Sequence, residues 1–301
     1  MVTTPERIFF IGGTGNVGKK AVQDLLDNKV PVTLYARDPK KVTALFPNYD
    51  DSLLSIVQGD IQDLKPLQTA LPGHTRLFLV INDFTNFPNT KESIAKLAFE
   101  AGIQQILDIS SIGVNFPWRS SHIGYQHYLA EKKVLALMEQ SYPNASFIVL
   151  RPGRFMSNLF TFDRPTPDTG GMYDTIKPNA KQGWISPNDL GAISAVILQD
   201  DIKQHGPAAV YDDLIGDVVS PMKRAEILTD ILGRSITYHQ ISPMEKYNLI
   251  KPFPFFNFKT MYDIATMVEP EAMVSSGIQI LLGREPETLE QFIKANKDAL
   301  L

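Results

Sequence analysis

The chain has 301 residues, 44% of them hydrophobic and 21% charged, which is enough to bury a sizeable core as one large domain or as a domain with a smaller appendage. Its 29 basic side chains nearly balance 33 acidic ones, leaving a formal net charge of -4, so neither nucleic acid nor an anionic membrane surface is an expected partner. The absence of cysteine rules out a disulfide framework, a thiolate nucleophile and a cysteine metal site, and Met1 to Arg7 lacks a signal-peptide pattern, so the expected location is the cytoplasm.

Near the amino terminus, Ile8 to Ile11 reads as an apolar strand that empties into Gly12-Gly13-Thr14-Gly15-Asn16-Val17-Gly18 and then a helix with Val22, Leu25 and Leu26 on one face. Strand, glycine turn and helix in that order suit a dinucleotide pyrophosphate: glycine lets the backbone approach the anion, and the helix start supplies N–H groups and a positive dipole end. A tight turn without a ligand is the plainer alternative. Further strands are expected at Val32 to Ala36, Leu53 to Val57, Arg76 to Ile81, Gln105 to Ile109 and Phe147 to Leu150, with helices near Gly15 to Asn28, Pro39 to Phe46, Leu64 to Ala70, Thr90 to Ala101 and Ile123 to Ser141. This alternation predicts an α/β fold, a doubly wound parallel sheet whose ligands sit beyond the carboxyl ends of the strands.

The second strand ends in Arg37-Asp38-Pro39. Asp38 stands where a carboxylate could meet a ribose 2′-hydroxyl, but Asp before Pro is also a standard helix opening. With Asp38 capping, Arg37 and Lys40 or Lys41 form a cationic place for a 2′-phosphate, so NADP(H) is the preferred cofactor, with NAD(H) the alternative. Asp60 and Ile61 at the third strand's end, and Ile81 and Asn82 at the fourth's, are candidates for the adenine and ribose path, although Gly59-Asp60 is equally a common turn pair.

The fifth strand ends in Ser110-Ser111, and the next helix carries Tyr128 and Lys132 four residues apart, on one helix face. An ammonium beside a phenol favours the phenolate and so eases proton donation to a carbonyl oxygen receiving hydride, while a serine hydroxyl holds that oxygen. The same spacing recurs at Tyr173/Lys177 and Tyr247/Lys251, but only the first copy follows a serine strand end. His127 lies on another face and reads as a core or surface histidine.

From about Phe155 the pattern becomes mixed and loop-rich, which divides the chain into a dinucleotide-binding domain over 1–155 and a smaller substrate or lid region over 156–301, packed on the first and partly interleaved with it. Asp163 to Gly171 is turn-forming and reads as a lid or a surface loop; Asp189 reads as a helix cap. Lys251 to Tyr262 holds Phe253, Phe255, Phe256 and Phe258, which fits core packing, an apolar pocket wall or a subunit interface. A closing helix is expected over Glu285 to Asn296. No pattern for a metal site, a serine hydrolase or an NTPase is present, so no metal is expected.

These motifs resemble the NmrA-like family, an atypical branch of the short-chain dehydrogenase/reductase superfamily. The shared landmarks are the Gly12 to Gly18 turn, Tyr35-Ala36-Arg37-Asp38-Pro39, Gln58-Gly59-Asp60, Ile109 to Gly113, Leu150 to Asn158, Gly183 to Ala192 and Leu232-Gly233-Arg234. The resemblance implies a Rossmann-type domain that binds NADP(H) or NAD(H), with Arg37 at the 2′-phosphate and Pro152, Gly153 and Phe155 lining the nicotinamide. It also implies one of two activities. The first is an NADPH-dependent reductase acting on a small apolar or aromatic acceptor with C=O, C=N or conjugated C=C, in which Tyr128 donates the proton, Lys132 binds ribose, Ser110 or Ser111 orients the acceptor, and Ser110 is also a candidate cofactor contact. The alternative is a non-catalytic NADP(H) sensor that binds a protein partner; Tyr128 favours the enzyme.

Overall fold

A computed structural model describes residues 6–49, 52–161, 163–253 and 257–301. The described strands are β1 (Ile8–Ile11), β2 (Val32–Ala36), β3 (Leu54–Gln58), β4 (Arg76–Leu79), β5 (Gln105–Ile109), β6 (Ser146–Pro152), β7 (Arg154–Phe155), β8 (Gly171–Asp174), β9 (Gln182–Ile185), β10 (Ala208–Leu214), β11 (Asp217–Val219) and β12 (Thr237–Gln240). The helices are α1 (Asn16–Asp27), α2 (Pro39–Leu45), α3 (Lys65–Ala70), α4 (Phe87–Glu100), α5 (His122–Ser141), α6 (Pro187–Ile197), α7 (Pro221–Leu232), α8 (Pro243–Ile250), α9 (Phe258–Thr266), α10 (Gly277–Leu282), α11 (Leu289–Ala295) and α12 (Lys297–Leu300).

The chain divides into two compact units, and the division differs from the expected cut at residue 155. Residues 1–110, 126–151 and 190–212 form the first unit, and 111–125, 152–189 and 213–301 form the second. The return of 190–212 to the first unit was not visible as a composition change in the sequence.

In the first unit a seven-stranded sheet runs in the order β10-β6-β5-β4-β1-β2-β3. Each neighbouring pair from β6 through β3 is parallel. β1, β2, β4 and β5 are buried at every position, which is why they read as largely apolar runs, whereas the edge strand β3 leaves alternate positions more exposed. Side-chain alternation splits β1 and β4 between two layers. Phe9, Ile11, Leu77 and Leu79 pack with Leu67 of α3, Ile94 and Ala98 of α4, and Val134 and Met138 of α5. Phe10 and Phe78 face the other way and stack with ring centroids 4.9 Å apart. α1 buries Val22, Leu25 and Leu26, and α6 lies close on it at Gly191, where a Cβ would come within 2.6 Å of Lys20 Cβ. Helices thus cover both faces, as a doubly wound sheet requires.

Two helix starts differ from expectation for local reasons. α4 begins at Phe87 rather than Thr90, with Pro88 in its first turn, where a missing N–H costs nothing. α11 begins at Leu289 rather than Glu285, because Thr288 and Gln291 form a capping box there.

The second unit holds the three-stranded sheet β11-β9-β7 and the pair β12-β8. Its core gathers Met156, Leu159, Trp184, Leu228, Leu289, Phe292 and Ile293. Among the described residues no helix is long and apolar enough to cross a membrane.

Candidate cofactor and active site

The glycines between β1 and α1 fall into two groups. Gly12 has φ +95°, and a Cβ on it would lie 2.3 Å from Val80 Cγ1; a Cβ on Gly18 would lie 2.3 Å from the Gly12 carbonyl oxygen. Both are demanded by the fold, Gly18 because it brings α1 against the turn. Gly13 is also internal, since its Cβ would meet Leu34 Cδ2 at 2.7 Å. Gly15 differs: it is exposed, and its Cβ would meet only the Gly12 oxygen, at an ordinary 3.5 Å. Packing does not require glycine there, but a ligand approaching the backbone does. Gly15 is also the residue before α1 and gives it no side-chain cap, and the first turn holds no acidic residue. Thr14 and Asn16 are accessible beside it, while Val17 turns into the core. The cradle therefore fits a pyrophosphate: a Cβ would fill its approach, and its uncapped N–H groups suit an anion.

At the end of β2, Asp38 caps α2 by accepting from Lys40 N at 3.0 Å, with Pro39 at the first helical position. Its carboxylate is thereby engaged locally, and Arg37 and Lys41 are exposed beside it. Asp60 accepts from Gln62 N at 3.0 Å in a turn, and its carbonyl oxygen accepts from Tyr35 Oη at 3.0 Å. Ile61 is half-buried next to it. Beyond β4, Ile81 is buried and Asn82 is exposed.

The end of β5 is more tightly built than its sequence indicates. Ser110 is buried, and its hydroxyl donates to Glu131 of α5. Arg151 grips the same carboxylate through Nε (3.1 Å) and Nη2 (2.5 Å) and reaches Asp212 through Nη1 (3.0 Å). Two residues earlier, on the same strand face, Asp108 meets Lys91 of α4 at 2.5 Å, and both side chains are essentially inaccessible. Burial raises the Asp108 carboxyl to about 6, against the opposing pull of Lys91. His127 packs edge-on against Phe84 and Phe87, and its Nδ1 has no hydrogen-bond partner. Burial first, and then the Lys91 charge, lowers its imidazole well below the ordinary value. His127 is thus a core histidine. Tyr128 is half-buried and Lys132 exposed on the next face of α5.

Glu131 and Arg151 were missed in the sequence as site residues. A periodic signal existed: Glu131 falls in the buried stripe Ala130, Val134, Met138, where an acidic side chain needs a partner.

In the second unit, Ser111 Oγ accepts from Gly113 N at 3.1 Å and so caps a short 3₁₀ turn. Pro152 and Gly153 are buried and Phe155 half-buried. Between them Arg154 binds Asp163 through two nitrogens (2.9 and 2.6 Å), Glu269 (2.8 Å) and Asp174 (3.3 Å). Burial would raise the Asp163 carboxyl, but the Arg154 and Arg224 charges hold it far below the usual carboxylate range. The start of the expected loop at Asp163 is therefore an ionic anchor. Asp189 is not a helix cap: its carboxylate is fully buried and accepts from Glu287 N and Arg284 Nη2, both at 2.7 Å, while Ser186 Oγ accepts from Asn188 N at the start of α6. Phe255 and Phe256 lie outside the described residues, and Phe258 is exposed. No cluster of three or more potential metal ligands occurs among the described residues.

A family model described as the NmrA-like family matches residues 4–300, and the chain belongs to that family. It is 23% identical to the NAD(P)H azoreductase of Xenophilus azovorans over 97% of this chain and 98% of that protein. It is 26% identical to the (4-alkanoyl-5-oxo-2,5-dihydrofuran-3-yl)methyl phosphate reductase of Streptomyces griseus over 78% and 77% of the two chains. Among solved structures it is similar to the NADPH complex of the quinone oxidoreductase QOR2 from Escherichia coli, with a TM-score of 0.76, 20% identity, and 96% and 99% of the two chains covered.

Proposed function

We propose that the chain is an NADPH-dependent reductase that transfers hydride to a small apolar or aromatic acceptor bearing C=O, C=N or conjugated C=C. The observation that carries this reading is the accessible Gly15 at the uncapped start of α1, where packing alone would admit a side chain. Relatives named as an NAD(P)H azoreductase and an NADPH-dependent quinone oxidoreductase support the reductase class.

When bound, NADPH supplies the hydride. The chain's own residues divide the other tasks. The α1 N–H groups hold the pyrophosphate, and Arg37 with Lys41 holds the 2′-phosphate, because the Asp38 carboxylate that would repel it is directed to Lys40 N. Asp60, Ile61, Ile81 and Asn82 border the adenosine and ribose path, Lys132 donates to ribose hydroxyls, and Pro152, Gly153 and Phe155 line the nicotinamide. Tyr128 delivers a proton to the acceptor atom that gains electron density, Ser111 orients that atom, and the phenol regains its proton from water. Localisation in the cytoplasm accords with this cofactor.

The test is a fluorescence titration with NADPH and NADH, followed by turnover on quinones, enones and cyclic imines. Arg37→Ala is expected to reduce the preference for NADPH about tenfold, the value of a charge-assisted contact. Tyr128→Phe is expected to lower kcat sharply with NADPH affinity unchanged. An unmodified protein that takes up neither nucleotide would overturn the proposal.

A further inference from the structure

Ser110 follows the last residue of β5, and its N–H still donates to Leu150 O at 2.8 Å, so the sheet sets its backbone position. Its hydroxyl proton lies in the bond to Glu131, because a carboxylate paired with a guanidinium can only accept. What Ser110 retains is acceptor capacity. A carbonyl substrate needs a donor, so Ser110 is the wrong serine to orient one. Ser111 keeps its proton outside its bond from Gly113 N.

The order β5-β4-β1-β2-β3 indicates what Ser110 could accept from. In a doubly wound sheet the pyrophosphate lies at the β1 turn and the ligand crosses the strand ends at the switch between β1 and β4. With the 2′-phosphate end over Arg37 of the β2 side, the nicotinamide nucleoside falls toward β4 and β5. That nucleoside carries ribose hydroxyl and carboxamide donors.

We propose that Ser110 is a hydrogen-bond acceptor for the nicotinamide nucleoside of bound NADPH and that Glu131, held by Arg151, is the positioning residue that imposes this role; the proposal rests on the reductase reading above. Glu131 acts through Ser110, so its loss and the loss of the serine oxygen should not add.

Calorimetric titration with NADPH and with 2′,5′-ADP, which lacks the nicotinamide nucleoside and the phosphate that carries it, tests this. Ser110→Ala is expected to weaken NADPH about fivefold, the value of one neutral hydrogen bond, and to leave 2′,5′-ADP unchanged. Glu131→Gln is expected to show the same split, since its amide also offers an N–H to the serine oxygen, and the double variant should be no weaker than Ser110→Ala. Equal weakening of both ligands, unchanged NADPH binding by Ser110→Ala, or additive losses would each overturn the proposal. Should Glu131→Gln fail to fold, the two-ligand comparison on Ser110→Ala decides. If the unmodified protein binds no NADPH, the reductase reading falls and this proposal with it; if it binds NADPH and Ser110→Ala binds equally well, only this proposal falls.

Discussion

Buried ionisable groups dominate at the scale of single residues, and two of them pull the acid side of the stability curve in opposite directions. His127 is neutral when folded, because burial and then Lys91 lower it well below 6.5, whereas in the unfolded chain it takes up a proton near that pH. The unfolded state therefore binds more protons below pH 6.5, and this contribution to stability is lost as pH falls through that value, at up to about 1.4 kcal/mol per pH unit. Asp108, raised by burial to about 6, does the reverse: its contribution is full below the unfolded carboxyl value near 4 and is lost as pH rises through about 6. Urea denaturation of His127→Leu and the unmodified protein from pH 7.5 to 5 isolates the histidine. The difference in stability should shift in the variant's favour as the solution is acidified, and a constant difference would show that the imidazole is charged when folded.

At the scale of elements, the strand–turn–helix at β1 and α1 separates glycines that packing requires from one, Gly15, that packing does not. Gly18→Ala drives a Cβ to within 2.3 Å of a backbone oxygen, and overpacking of this kind costs about 1–3 kcal/mol, so its melting temperature should drop. Gly15→Ala should melt like the unmodified protein yet bind NADPH more weakly; an unaltered affinity would mean that the turn holds no pyrophosphate. The turn motif and the Asp38-Pro39 opening of α2 were both legible as sequence, because such elements are specified within a few neighbouring residues. Asp189 was not. Its partners, Arg284 and Glu287, lie nearly a hundred positions away, so a local capping rule had no access to them.

For the molecule as a whole, the chain's repeated passage between two units matters more than any single boundary. A fragment ending at residue 155 lacks α6 and β10, so the outer edge of β6 loses the strand beside it and Arg151 loses Asp212. An uncovered apolar edge is an aggregation template. We expect fragment 1–155 to bind a hydrophobic dye and to unfold without a cooperative urea transition; a cooperative, dye-free fragment would show that the first 155 residues fold alone.

The α/β class, the parallel strand succession and the glycine turn between β1 and α1 were determined by the sequence alone, because hydrophobic periodicity and glycine placement are local consequences of backbone geometry. Tertiary structure alone decided that the Ser110 hydroxyl donates its hydrogen bond to Glu131, that Lys91 and Asp108 pair in the interior, that Arg154 anchors Asp163, and where the two units divide. Each of those depends on which distant side chains burial brings together, and a buried charge is tolerated only where the fold supplies its counterpart.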